Sequence, residues 1–208
     1  AGIYLLKKED RELDKFDIDI STAVQSGTYG FVMKDGVLVN TNSKDDTSEY
    51  NNTVANSYIP IDLTNYSSGR SYNLIVNAQI ESESVSYDIG YLTVSEDTTV
   101  PTYDNTNGRF AYIGGTVTAT NYSTLLTGGK MYYLHIGYRK DGSGIGGTDT
   151  FQINSVSIEE NIDLGELKYN ITDAGITNSN YTKLNVDLGT LTPGNYKLSS
   201  YSTSGNGI

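Results

Sequence analysis

The sequence predicts an all-β chain: an antiparallel two-sheet β-sandwich of jelly-roll type, followed by an incomplete second β module. Three observations carry this. Residue usage favours strands, with 18 Tyr and 4 Phe, abundant Gly, Ser, Thr and Asn, and no long run of helix formers. Short segments alternate apolar and polar residues with a period of two. Turn-forming residues punctuate those segments at close intervals. At 208 residues the chain can bury one good core, or one core and a smaller second one.

Residues 1–16, "AGIYLLKKEDRELDKF", differ from the rest. Lys7, Lys8, Arg11 and Lys15 balance Glu9, Asp10, Glu12 and Asp14, while Ile3, Leu6, Leu13 and Phe16 could line one helical face. A solvated tail or short helix is expected here, or the stub of a longer helix. The jelly roll is expected over residues 17–160. "TYGFVMKDGVLVNTN" predicts a hairpin turning at Lys34-Asp35-Gly36. In "SYIPIDLTNY", Ile59, Ile61 and Leu63 alternate with Tyr58, Pro60 and Asp62, and the proline marks an edge strand or a strand start. "SYNLIVNAQIES" sends Tyr72, Leu74, Val76, Ala78 and Ile80 one way, and Asn73, Ile75, Asn77, Gln79 and Glu81 the other. "SYDIGYLTV", "RFAYIGGTVTAT", "MYYLHIGYR" and "TFQINSVSI" each read as one further strand. The core is expected at Leu74, Val76, Ile80, Leu134, Ile136, Phe151 and Ile153, with a barrel as the lesser alternative. Over residues 161–208 a partial second module is expected. Its "YTKLNVDLGTLTPGNYKLSSYSTSG" (181–205) echoes "YIPIDLTNYSSGRSYNLIVNAQIES" (58–82), and it is too short to close its own core.

Charge and composition exclude several classes. A net charge of −11 and a pI near 4.4 oppose binding to nucleic acid and anionic membranes. The absence of cysteine removes disulfides, thiol catalysis and zinc–thiolate sites, and a single histidine removes His-rich metal sites. No stretch approaches the roughly 18 apolar residues of a membrane span. "GSGIGG" fits a dinucleotide fingerprint at Gly142, Gly144 and Gly147, but "TDTFQINSVSI" after it lacks the helical period that such a site needs. A loop between two strands is the better account.

His135, the one histidine, shares a face with Tyr133 and Arg139, and no nucleophile elbow accompanies it. Glu81, Glu83 and Asp88 lie near one strand end, where solvated loop charges explain them better than a glycosidase pair does. No enzymatic activity and no cofactor are expected. The residues leave room only for a structural calcium, since Asp141, Ser143 and Asp149 offer oxygens in the glycine loop without the spacing of a known calcium loop.

"LTNYSSGRSYNLIVNAQI" and the closing "DTFQINSVSI" resemble jelly-roll modules of the galactose-binding and carbohydrate-binding type. The last strand of those modules has the form aromatic-x-Ile-Asp-x-Val-x-Leu, here occupied by Phe151, Ile153, Asn154, Val156 and Ile158. The segment "GRFAYIGG…YSTLLTGGKMYYLHIGYRKDGS" is also similar to a module repeated in large surface proteins of Firmicutes, beside adhesin and Cna-B-like domains. The resemblance covers about residues 25–160. It implies a non-catalytic recognition module, extracellular or on the cell surface, with a glycan or protein ligand. Two departures stand out. There is no tryptophan to stack on a sugar, which leaves that task to tyrosine, and Asn154 stands where an aspartate is usual, which weakens the implied calcium.

Alternation supplies the candidate site. Asn73, Asn77 and Gln79 of one strand and Tyr133, His135 and Arg139 of another would form a polar platform if the two strands were neighbours in one sheet. The alternative is a structural repeat of a surface fibre or pilus, completed by neighbouring copies of the chain.

Overall fold

The computed structural model describes residues 2–8, 13–43, 49–83, 85–102, 104–142, 148–161, 165–170 and 195–201. In chain order its strands are β1 (Gly2–Lys8), β2 (Lys15–Ile18), β3 (Val24–Gln25), β4 (Phe31–Lys34), β5 (Val37–Asn40), β6 (Val54–Asp62), β7 (Ser71–Glu81), β8 (Ile89–Ser95), β9 (Arg109–Gly114), β10 (Thr116–Thr127), β11 (Met131–Arg139), β12 (Thr150–Glu160), β13 (Gly165–Asn170) and β14 (Asn195–Tyr201). A single 3₁₀ turn at Ile20–Thr22, capped by the Asp19 carboxylate, is the one helical element among the described residues. The chain divides into two units, residues 14–161 and residues 1–13 with 162–208.

Residues 14–161 form an antiparallel sandwich. The first sheet has the order β10-β7-β12-β5-β4, with β2 also on β12; the second has the order β3-β6-β11-β8-β9. The eight strands β5 to β12 cross between the sheets to give β5-β12-β7-β10 facing β6-β11-β8-β9, which is the jelly-roll arrangement. Period-two patterning decides what lies between the sheets. Tyr72, Leu74, Val76, Ala78 and Ile80 of β7 and Phe151, Ile153, Val156 and Ile158 of β12 meet Ile59 and Ile61 of β6, Leu92 of β8 and Leu134 and Ile136 of β11. All seven residues expected in the core are buried.

Local chemistry explains the corners. Asp35 (φ 52°) and Gly36 (φ 85°) make the two-residue β4–β5 hairpin, both in the left-handed region that such a turn requires. β3 reaches only Ser57 and Tyr58, so Pro60 sits where β6 has become an edge and a missing N–H costs least. "RFAYIGGTVTAT" is two strands, not one. Gly115, at φ 75°, ends β9 in the second sheet and lets β10 start in the first. The glycine-rich loop is followed by a strand, β12, so the amides of a nucleotide-binding helix are absent there.

In the other unit, Gly2–Lys8 corrects the expectation of a tail or short helix. It is a strand that pairs antiparallel with β13 on one side and β14 on the other. Its β-prone Ile3, Tyr4 and Leu5 suit a central position where both backbone edges are satisfied. The repeat echo over residues 181–205 falls mostly outside the described residues.

Candidate functional site

The six candidate residues do not form one platform. β7 belongs to the first sheet and β11 to the second, so Asn73, Asn77 and Gln79 look out from one side of the sandwich and Tyr133, His135 and Arg139 from the other. Alternation assigns a residue to a face of its strand but does not say which sheet the strand joins, and jelly-roll crossing separated these two.

On the first sheet, the Asn77 amide is already engaged. Its nitrogen donates to Asn121 Oδ1 at 2.7 Å, and its oxygen accepts from Asn154 Nδ2 at 2.7 Å. Gln152 Nε2 donates in turn to Asn154 Oδ1 at 2.5 Å, so four amides run head to tail across β12, β7 and β10. Asn154 is the extra residue of a β-bulge between Ile153 and Ser155, and there it serves this chain. Gln79 lines a shallow depression with Glu81, Thr116, Thr118, Thr148 and Gln152. Ile80 and Val117 also line it, so the depression mixes apolar and polar groups and has no aromatic ring.

The outer face of the second sheet is different in chemistry. Cross-strand register aligns Pro60, Tyr133 and Ser95 in one row, Tyr58, His135 and Thr93 in the next, and Asn56, Gly137, Tyr91 and Tyr112 in a third. Tyr58 meets Tyr133 edge to face, with centroids 5.6 Å apart, and lies 6.0 Å from the His135 ring. The Arg109 guanidinium sits 5.4 Å from the centroids of both Tyr91 and Tyr112. Gly137 makes room for this cluster, since a Cβ there would come within 2.0 Å of Tyr91 Cζ. The Tyr91 hydroxyl donates to Asn56 Oδ1 at 3.1 Å, which fixes the ring. Tyr112 is 50% exposed, whereas Tyr91 is buried beneath its neighbours. Arg139 is half-buried at the end of β11, opposite Val54 and Ile89.

His135 faces outward as expected, yet it is buried because the chain after β8 folds over it. Its Nε2 lies 2.9 Å from Ser95 Oγ and 3.0 Å from the Asp97 carbonyl oxygen. A carbonyl only accepts, so Nε2 carries the proton. Nδ1 then has no hydrogen-bond partner. Burial lowers the pKa below its ordinary 6.5, against a smaller upward pull from the Asp97 carbonyl and carboxylate. Protonation therefore opposes folding. The stabilising contribution is complete above about pH 6.5 and is lost as the pH falls from there through the lowered folded value. Between pH 7.5 and 5, urea unfolding should show wild type losing more stability than His135→Gln. Taking the difference between the two proteins cancels the carboxylates that titrate in the same range. Parallel profiles would mean that the ring protonates freely in the fold.

The carboxylates near the strand ends are gathered at one end of the sandwich. Asp88 and Asp149 are buried with Lys140, whose Nζ lies 2.5 Å from Asp149 Oδ2 and 3.6 Å from Asp88 Oδ2. Glu83 and Asp141 are half-buried beside them, and Glu81 stands apart, accepting from Thr148 Oγ1 at 3.2 Å. Ser143 lies outside the described residues. Burial of Lys140 was not legible in the sequence. Its one signal was that position 140 continues the inward phase of Tyr132, Leu134, Ile136 and Tyr138.

No protein-family model and no curated protein matches the chain. Among solved structures, it is similar to the CBM22-1–GH10 modules of the Clostridium thermocellum endo-1,4-β-D-xylanase 10B, complexed with xylohexaose. That likeness has 13% identity and a TM-score of 0.41, and covers 72% of this chain and 28% of that one. It is also similar to the enzymatically active domain of bacteriophage CBA120 tailspike protein 4, with 16% identity and a TM-score of 0.29, over 70% of this chain and 19% of that one. The chain therefore spans under a third of either protein.

Proposed function

We propose that the outer face of the second sheet binds carbohydrate and that the sandwich is a non-catalytic recognition module. The observation that carries this is the tyrosine cluster around Tyr58, Tyr133 and Tyr112, interleaved with Arg109 and flanked by Asn56 and Arg139. A sugar ring offers an apolar C–H face and a rim of hydroxyls. Tyrosine rings complement the face, and guanidinium and amide groups complement the rim. Tyr91, seated by Gly137 and Asn56, backs the Arg109 guanidinium that also lies over Tyr112, so this part of the face loses little freedom on binding. With a net charge of −11, an uncharged glycan is favoured over an acidic one. Adhesion to a glycan-bearing surface outside the cell is the role that such binding would serve.

The test separates the two faces of β11. Tyr133→Ala should lower glycan affinity about tenfold, the scale of an aromatic contact of about 1–2 kcal/mol, with little change in melting. Tyr132, which is buried, should instead destabilise the fold when replaced by Ala. Affinity electrophoresis against a panel of soluble polysaccharides, with thermal melting alongside, reads both. If no polysaccharide retards the wild type, or if Tyr133→Ala and Tyr58→Ala are retarded as much as wild type, the reading fails.

A further inference from the structure

We infer that β10 pairs antiparallel with the β10 of a second copy of this chain, about a two-fold axis, joining the first sheets of two sandwiches. Sheet edges recruit further strands, and folded proteins blunt them with short strands, charge or proline. Among the described residues the other edge strands follow that rule. β3 has two residues, while β2 and β4 have four each and carry Lys15, Asp17 and Lys34; β9 carries Arg109. β10 does not follow it. Its twelve residues, "TVTATNYSTLLT", hold neither charge nor proline, and β7 pairs with one side of it only. A bulge between Val117 and Thr120 blunts one end and leaves residues 120–127 in unbroken register with β7. Along that run every second residue turns its N–H and C=O to the open side.

Charge identifies the occupant. Residues 110–129 are the longest uncharged run of a chain whose net charge is −11, and that run covers the one long edge. A partner of different sequence is best held by opposite charge. A second copy is not, because an antiparallel two-fold pair sets one residue opposite itself, and any charge near the centre meets its own kind. Self-pairing therefore requires an edge without charge. The neutral strip extends inward, since residues 71–78 of β7, in register with residues 120–127, are uncharged too. In those rows the first charges are Glu159 and Glu160 on β12, already paired with Lys15 and Arg70. Each would lie about 24 Å from its copy, five strand spacings, well beyond a screening length of about 8 Å.

Side chains agree with this pairing. Asn121, Ser123, Leu125 and Thr127 are exposed on the outer face, and Leu125, at 59%, is the most exposed large apolar residue of any described strand. With the axis at Ser123 or Thr124, the centre of the run, Leu125 meets Asn121 or Ser123 of the second copy. The pair closes on itself and does not propagate into a fibre. A two-fold axis between antiparallel strands runs perpendicular to their sheet, so both second sheets lie on one side of the joined layer. Their tyrosine faces then point the same way, and one polysaccharide meets two sites, which raises avidity. Only this last consequence rests on the carbohydrate reading.

Sedimentation velocity of the full chain, without glycan, tests the dimer. Monomer should give way to dimer between about 1 μM and 1 mM, the range of a small interface, with nothing larger. Ser123→Lys combined with Leu125→Lys sets like charges opposite or diagonal across the axis, within about 8 Å. That variant should weaken the dimer about tenfold or more, and so should Ser123→Glu combined with Leu125→Glu. Both should melt close to wild type, since the positions are exposed. An equimolar mixture of the two should dimerise at least as tightly as wild type. Amide exchange of wild type needs no substitution: every second amide along residues 120–127 should gain protection as concentration rises. The inference is overturned if wild type stays monomeric up to about 1 mM, or if species larger than a dimer keep growing. It is equally overturned if either variant dimerises like wild type, or if the mixture stays monomeric. A monomer that still binds glycan would sink the dimer alone, and a dimer that binds none would sink the carbohydrate reading alone.

Discussion

Lys140→Met should cost the sandwich about 3–5 kcal/mol, the scale of removing one partner from a buried ion pair. The Lys140 side chain is 2% exposed and that of Asp149 is fully buried, 2.5 Å away. Burial alone would lower the ammonium, but the hydrogen bond to Asp149 and the charges of Asp88, Asp149 and Glu83 raise it above its ordinary value. Without it, Asp149 and Asp88 lose the one cation that pairs with them among the described residues. Asp149 also has a positive φ of 48°, so its backbone is held by the structure around it. Asn40 supplies that hold: its Nδ2 donates to the Asp149 carbonyl at 3.1 Å and its Oδ1 accepts from Phe151 N at 2.7 Å. Asp149→Asn should therefore destabilise for the same electrostatic reason, and the double variant should cost less than the sum. Urea unfolding of the three variants measures this. A loss below about 1 kcal/mol for Lys140→Met would mean that the pair is hydrated rather than sealed.

Phe151→Ala should cost about 3–5 kcal/mol, because the ring is fully buried between the sheets. It packs edge to face on Phe31, with centroids 6.0 Å apart. Across the core it lies against Gly90, where a Cβ would stand 2.8 Å from the ring. Gly90→Ala alone should thus destabilise by about 1–3 kcal/mol through overpacking. In the Phe151→Ala background the same alanine enters a cavity, and its cost should vanish or reverse. Strict additivity in a chemical-denaturation cycle would show that ring and glycine do not share the space.

Both predictions rest on contacts between sheets, and that is where the sequence stopped being legible. The Tyr72–Ile80 alternation identified β7 and its buried face, because a strand half in water must pattern with period two. Asp35-Gly36 identified a hairpin, because few residues tolerate positive φ. Both signals are local. Whether β7 and β11 share a sheet depends on which intervening turns cross between the sheets. Neither the β7–β8 connection, Gly115 nor the turn at residues 128–130 carries a pattern that tells a crossing from a hairpin, which is why the six-residue platform came apart. The tyrosine face was half legible. Tyr133 and His135 were assigned outward, but Tyr58, Tyr91 and Tyr112 join them only through register with β6, β8 and β9. Gly114 and Gly115 were read as strand interior because a paired glycine looks the same in a strand and at a corner. The N-terminal strand was hidden by its charges, which fit a helix surface as well as a strand end.

The pairing of β2 with β12 brings Lys15 opposite Glu159, and Asp14 exchanges hydrogen bonds with Glu160 through both backbone and carboxylate. The sandwich therefore takes the chain in and releases it at one point. Its neighbour, residues 1–13 with 162–208, is built from both flanks, with β1 paired to strands more than 150 residues later in the chain. In kinetic terms, β1 could find β13 and β14 only by closing a very long loop, an entropic barrier of about 4 kcal/mol for an unstructured connection. Once the sandwich has folded, that loop has effectively shrunk to a few residues. Topology therefore favours one order of assembly: a sandwich that folds first converts a slow, long-range search by the flanking strands into a local one.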